Sequence, residues 1–132
     1  MAAKRAAKQA KKLAAAQPQW AIDRVYKSAA VLETLREAGD DETATRPIEH
    51  TAIFKTEPAA YGFAKALYAA GGYNDIKTGP ADAAGVVIVE FNEPSTTASK
   101  EIFDKTVIAE GRVREAGGEY DGWSAVLVAK AV

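Results

Sequence analysis

Cysteine is absent from the 132 residues. Its absence excludes disulfides, thiolate nucleophiles and Cys-ligated zinc. Histidine occurs once, as His50, so no multi-histidine metal site can form. Apolar runs are short, and none approaches the roughly 20 residues that span a bilayer. No apolar h-region follows the N-terminus, so no signal peptide is expected and the expected compartment is the cytoplasm. The phosphate-cradling patterns G-x-G-x-x-G and G-x-x-x-x-G-K-[ST] do not occur either. What remains is an ordinary globular composition, 48% hydrophobic and 27% charged. The length favours one domain, able to bury about two-thirds of its unfolded surface.

Charge is unevenly placed. Residues 1–16 carry Lys4, Arg5, Lys8, Lys11 and Lys12 and no acid, a charge of +5. The other 116 residues carry −6. Residues 1–18 therefore read as a basic, Ala/Lys-rich arm, and residues 19–132 as a single domain with a leading helix. Such an arm can attract nucleic acid, anionic lipid or an acidic protein face. It can equally be a solvated helix or frayed tail. Leu13 is its one sizeable apolar side chain after Met1. The arm is therefore expected to be dispensable for folding, since isolated helices of this length are marginal in water.

Pro18 suits the first turn of a helix over about 19–38, with Ile22, Val25, Ala29, Leu32 and Leu35 as its apolar stripe. Gly39 is its expected stop, followed by a polar loop at Asp40, Asp41 and Glu42. Alternation from Pro47 to Lys55 predicts a strand with His50 on the face of Ile48, Ala52 and Phe54 and Glu49 on the other. Thr56 caps a second helix with Ala60, Phe63, Ala64 and Leu67 inward. A short strand over 73–77 follows, then a turn-rich connection over 78–85. The β-branched run 86–91 predicts a central strand. Pro94 marks the next helix start, with Ile102, Thr106, Ala109, Val113 and Ala116 inward and Phe103 and Val107 widening the stripe. Gly117 and Gly118 end it, and a last strand follows with Trp123 and Ala125 on one face.

After residue 46 the order is strand, helix, strand, strand, helix, strand. This predicts an α+β, ferredoxin-like βαββαβ fold: a four-stranded antiparallel sheet in order 4-1-3-2 with two helices on one face. The leading helix is an N-terminal extension outside this repeat and must dock somewhere, with the sheet's other face or a partner's as the open alternatives.

No catalytic constellation emerges. His50 has no nucleophile beside it and reads as a packed structural histidine. Asp40 and Asp41 read as a solvated turn or helix cap. No metal, cofactor or small-molecule ligand is indicated. RNA-recognition motifs share this topology, but the run 85–91 lacks the basic residue and the first two aromatics of their RNA-stacking strand. RNA contact is expected only weakly, through the arm. The most informative run is Glu119-Tyr120-Asp121-Gly122-Trp123. Asp-Gly is a turn dipeptide, and Tyr and Trp are enriched among interface hot spots.

Four stretches carry a resemblance. They are 31–41 (Val-Leu-Glu-Thr-Leu-Arg-Glu-Ala-Gly-Asp-Asp), 46–50 (Arg-Pro-Ile-Glu-His), the helix-to-strand step at 63–73 ending in Gly-Tyr, and Glu-Tyr-Asp-Gly-Trp at 119–123. Together they resemble the bacterial RraB family, regulators of ribonuclease E activity, over about residues 31–128. The resemblance implies a ferredoxin-like, non-catalytic protein that binds the ribonuclease E scaffold region and lowers its activity on RNA. The basic arm departs from the family pattern, and offers a second reading as a nucleic-acid- or ribosome-associated module. The expected partner surface combines Glu49 with Tyr120, Asp121 and Trp123, since order 4-1-3-2 sets the last strand beside the first.

Overall fold

The computed structural model describes residues 17–131. The arm assigned to residues 1–18 lies outside the described residues except for its last two. The elements are α1 (Gln19–Glu37), β1 (Arg46–Phe54), α2 (Glu57–Ala70), β2 (Asn74–Thr78), β3 (Val87–Ser95), α3 (Ser99–Glu115) and β4 (Glu119–Ala125). The four strands form one antiparallel sheet in order β2-β3-β1-β4, the expected ferredoxin-like arrangement.

Alternation along β1 and β3 divides the sheet's faces. Ile48, His50, Ala52 and Phe54 of β1 are buried together with Val87, Val89 and Phe91 of β3. Phe63 and Leu67 of α2 and Ile102, Ala109 and Val113 of α3 close over them. Thr56 starts α2 as expected, its side chain accepting from the Ala59 N–H. At the end of α1, Gly39 takes φ +88°, and the Gly39 and Asp40 N–H groups bond back to Arg36 and Leu35. This Schellman closure delivers Asp40 inward.

Three details differ from the sequence reading. First, β3 runs on to Ser95, with Pro94 inside it, and α3 starts only at Ser99. Pro94 lies directly opposite Pro47. As a facing pair that exchanges no N–H bonds, the two prolines turn their nitrogens outward. The neighbouring ladders stop short of both, at Ile48 and Asn92. No donor is missed there.

Second, α1 turns Ala21, Arg24, Ser28 and Leu32 inward rather than the stripe through Ile22, Val25 and Ala29. It lies along α3 on the covered face, with the Trp123 indole N–H donating to Ser28 Oγ at 3.0 Å. Three helices therefore cover one face. Polar partners decide this rotation: Arg24 Nε donates to Glu110 at 2.6 Å, and Ser28 meets Thr106 at 3.2 Å.

Third, Asp40 is not in a solvated loop. It is 2% exposed and paired with Arg46, itself buried.

Candidate functional site

The paired strands β1 and β4 carry all four candidate partner-binding residues, and the structure sorts them onto opposite sides. Asp121-Gly122 is a bulge within β4 rather than a turn. Thr51 faces Gly122, Ala52 faces Tyr120, and Asp121 is the extra residue between them. Gly122 has φ +129°, backbone that favours glycine. Without a bulge, Tyr120 and Trp123 would point to opposite faces. With it, both enter the core, at 7% and 9% exposure. Glu49 and Asp121 stay exposed. The four residues therefore do not share one surface, because the bulge shifts the alternation by one residue.

The covered side holds a continuous polar network. His50 is fully buried, 2.9 Å from Glu93 through Nε2 and 2.5 Å from the Tyr120 hydroxyl through Nδ1. A carboxylate only accepts, so Nε2 donates to Glu93, while Nδ1 and the Tyr120 hydroxyl share the second bond. Burial pushes the Tyr120 pKa up and keeps that hydroxyl protonated. The Arg24 guanidinium stacks 4.6 Å above the Tyr120 ring. Glu110 binds Arg24 with one oxygen and Arg114 with the other. No buried side-chain nitrogen or oxygen among the described residues lacks a partner. Each member has a packing or pairing role, so the network reads as an internal brace.

A second brace sits at Asp40. It accepts from Arg46, from Thr97 Oγ1 at 2.6 Å and from the Val128 N–H at 3.0 Å. Arg46 also donates to the Val126 and Ala44 carbonyls. Burial disfavours the charged carboxyl, yet the hydrogen bonds from Arg46, Thr97 and Val128 outweigh it and hold the Asp40 pKa below the usual range. This clamp fastens the segment after β4 to the start of β1.

The other side of the sheet is bare. The described residues place no helix over it. Glu49, Ile88, Glu90, Lys77, Glu119 and Ser124 are exposed there. Asp75, with φ +50°, accepts from Asn92 beside them at 3.0 Å. Glu49, Asp75 and Glu90 border a shallow pocket of about 170 Å³ that also includes Lys77. Among the described residues none of Glu49, Asp75, Glu90, Glu119 and Asp121 is in an ion pair. Sequence reasoning missed Glu90 and Asp75. Glu90 was accessible to it: period two in the β3 run puts Glu90 outward, and the strand order sets β3 beside β1. Asp75 sits at a register shift in β2, which alternation does not anticipate.

No group of three or more His, Cys, Asp or Glu able to hold a metal exists among the described residues. None of their helices is long and apolar enough to cross a membrane. The fold and its surfaces define a small ferredoxin-like α+β protein with one helix-covered face and one bare, carboxylate-rich face. Residues 26–125 match the family model described as Regulator of ribonuclease activity B, and the chain belongs to this RraB family. No curated protein matches the chain.

Proposed function

We propose that this protein binds ribonuclease E and lowers its activity, so tuning RNA turnover, and that it does so through the bare face of its sheet. One observation supports this reading most directly. The family match ends at Ala125, the last residue of β4, and so takes in all four strands. The matched domain comprises the sheet together with α2, α3 and most of α1, and we assign the regulatory property to it. Within that domain the face carrying Glu49 and Glu90 is free, while its opposite is spent on the core. Asp121 joins Glu49 as an accessible candidate, and Tyr120 and Trp123 support the strands from behind.

An acid-rich face selects a basic segment of the enzyme, and exposed charge pairs lose strength as salt rises. The test is titration of the full chain against ribonuclease E from the same cell, with RNA cleavage followed in parallel. Wild type is expected to bind and slow cleavage, and Glu49→Lys with Glu90→Lys to weaken binding at least tenfold while circular dichroism stays unchanged. Wild-type affinity retained by the folded double variant would move the contact off this face. Absence of any binding by wild type would end the ribonuclease E reading. Binding to RNA alone, abolished by removing Lys4, Arg5, Lys8, Lys11 and Lys12, would favour the nucleic-acid module instead.

A further inference from the structure

The bare sheet face is not uniformly acidic. Register sorts its outward side chains into rows across the strands. Ile88 of β3 lies directly opposite Ile53 of β1, Glu90 lies between Thr51 and Lys77, and Asn92 lies opposite Glu49. One end of the face is thus aliphatic, and the carboxylates follow along the strands. Ile88 is 47% exposed although β3 is an inner strand. Beside it, Pro80 and Val86 of the β2–β3 connection complete a mainly apolar pit of about 680 Å³. Lys77 and Glu90 line both this pit and the carboxylate-bordered pocket, so the two adjoin.

The connection that walls the pit is internally tied. Asp82 Oδ1 accepts from the Ala84 and Val86 N–H groups at 2.9 Å each, and the Asp82 N–H donates to the Val86 carbonyl. The Gly79 N–H donates to the Ile88 carbonyl at 2.9 Å. A pit fixed before binding spares its occupant the entropy of ordering it.

We propose, building on the ribonuclease E reading, that the pit anchors one bulky apolar side chain of the enzyme, on a single segment whose basic side chain meets Glu90. Residues 88 and 90 share a face and stand about 7 Å apart, two strand rises. The segment therefore carries an apolar residue and a Lys or Arg at close to that spacing, i and i+2 in an extended chain or i and i+4 in a helix. Charge selects this occupant. Glu49, Asp75 and Glu90 are in no ion pair among the described residues. Two copies of this chain laid face to face would set carboxylates against carboxylates, which is repulsive. A purely apolar segment would desolvate Glu90 at the pit's rim without compensation.

The test is binding of the full chain to overlapping short peptides that cover ribonuclease E from the same cell. Peptides that bind are expected to carry a Leu, Ile, Met or aromatic residue at the stated spacing from Lys or Arg. Replacing that apolar residue by Ser should weaken binding at least about fivefold, the scale of a lost apolar contact. Ile88→Thr should bind such a peptide at least about fivefold more weakly than Ile88→Val, which has the same shape with a methyl in place of the hydroxyl. Circular dichroism should show both variants folded. In the Ile88→Thr chain the Ser replacement should cost little more, since both changes remove one contact. Losses that simply multiply would overturn the proposal, as would peptides that bind through basic residues alone. Intact enzyme bound by wild type while no peptide binds would overturn it too and leave the ribonuclease E reading standing. Binding of neither enzyme nor peptide would remove that reading and the anchor with it.

Discussion

Residue identity matters most where space is already taken. A Cβ on Gly118 would lie 2.5 Å from the Phe54 ring, closer than real contacts allow, and Phe54 is fully buried. Gly118→Ala is therefore expected to destabilise by about 1–3 kcal/mol through overpacking, read as a lower urea midpoint. The candidates Glu49 and Tyr120, on opposite faces of the sheet, should behave oppositely on truncation. Tyr120→Ala removes a buried ring and leaves His50 Nδ1 without its partner, an expected loss of about 3–5 kcal/mol. Glu49→Ala changes an exposed side chain in no ion pair among the described residues, so stability should stay within about 0.5 kcal/mol. Equal losses from both variants would show that the bulge does not separate the faces. Alternation alone put His50 inward and Glu49 outward. The inward turn of both Tyr120 and Trp123 was not readable that way, because a bulge is an exception to period two.

Among the elements, the segment after β4 is held by the Asp40 side-chain clamp and by one isolated backbone bridge, with the Asp41 N–H donating to the Val128 carbonyl and the Lys130 N–H to that of Gly39. Asp40 holds the Val128 N–H, Thr97 and Arg46, and its pKa lies below that of the unfolded chain. A depressed carboxyl contributes its full stability above the unfolded value of about 4. That contribution is lost as pH falls through the lower folded value. The melting temperature is thus expected to fall as pH drops below about 4, and Asp40→Asn should flatten that dependence while lowering stability at neutral pH. Hydrogen exchange should report the Val128 amide opening in the variant. A pH profile identical to wild type would remove Asp40 from the acid response, leaving Asp41 and Glu101, whose pKa values are also lowered.

For the whole molecule, the charge asymmetry in the sequence becomes spatial. Five exposed acids, Glu49, Asp75, Glu90, Glu119 and Asp121, lie on or beside the bare sheet face, while the chain enters α1 from residue 17 on the helix-covered side. Deleting residues 1–16 should preserve one cooperative transition, because the core described in β1, β3, α2 and α3 is drawn from residues 32–123. The melting temperature should fall by no more than a few degrees, since an alanine-rich surface with one leucine buries little. Loss of cooperativity would mean that the arm is part of the core. Binding to a basic partner through the sheet should weaken steeply with ionic strength. Salt-independent binding would point to an apolar contact instead.

Local pattern by itself determined the order of elements, the sheet order and the inward faces of β1, α2 and α3, because each is set by side-chain period and by start and stop residues such as Thr56 and Gly39. It also carried the family resemblance, since the motif residues are contiguous. Only the tertiary structure decided which way α1 faces, what Asp40 does and which side of β4 is accessible. These depend on partners far apart in the chain: Arg24 with Glu110, Asp40 with Val128, and Thr51 and Ala52 against a bulged strand. A buried polar residue looks like a surface residue until its partner is known. Periodicity therefore misreads such positions, and here they govern which surfaces are left free to work.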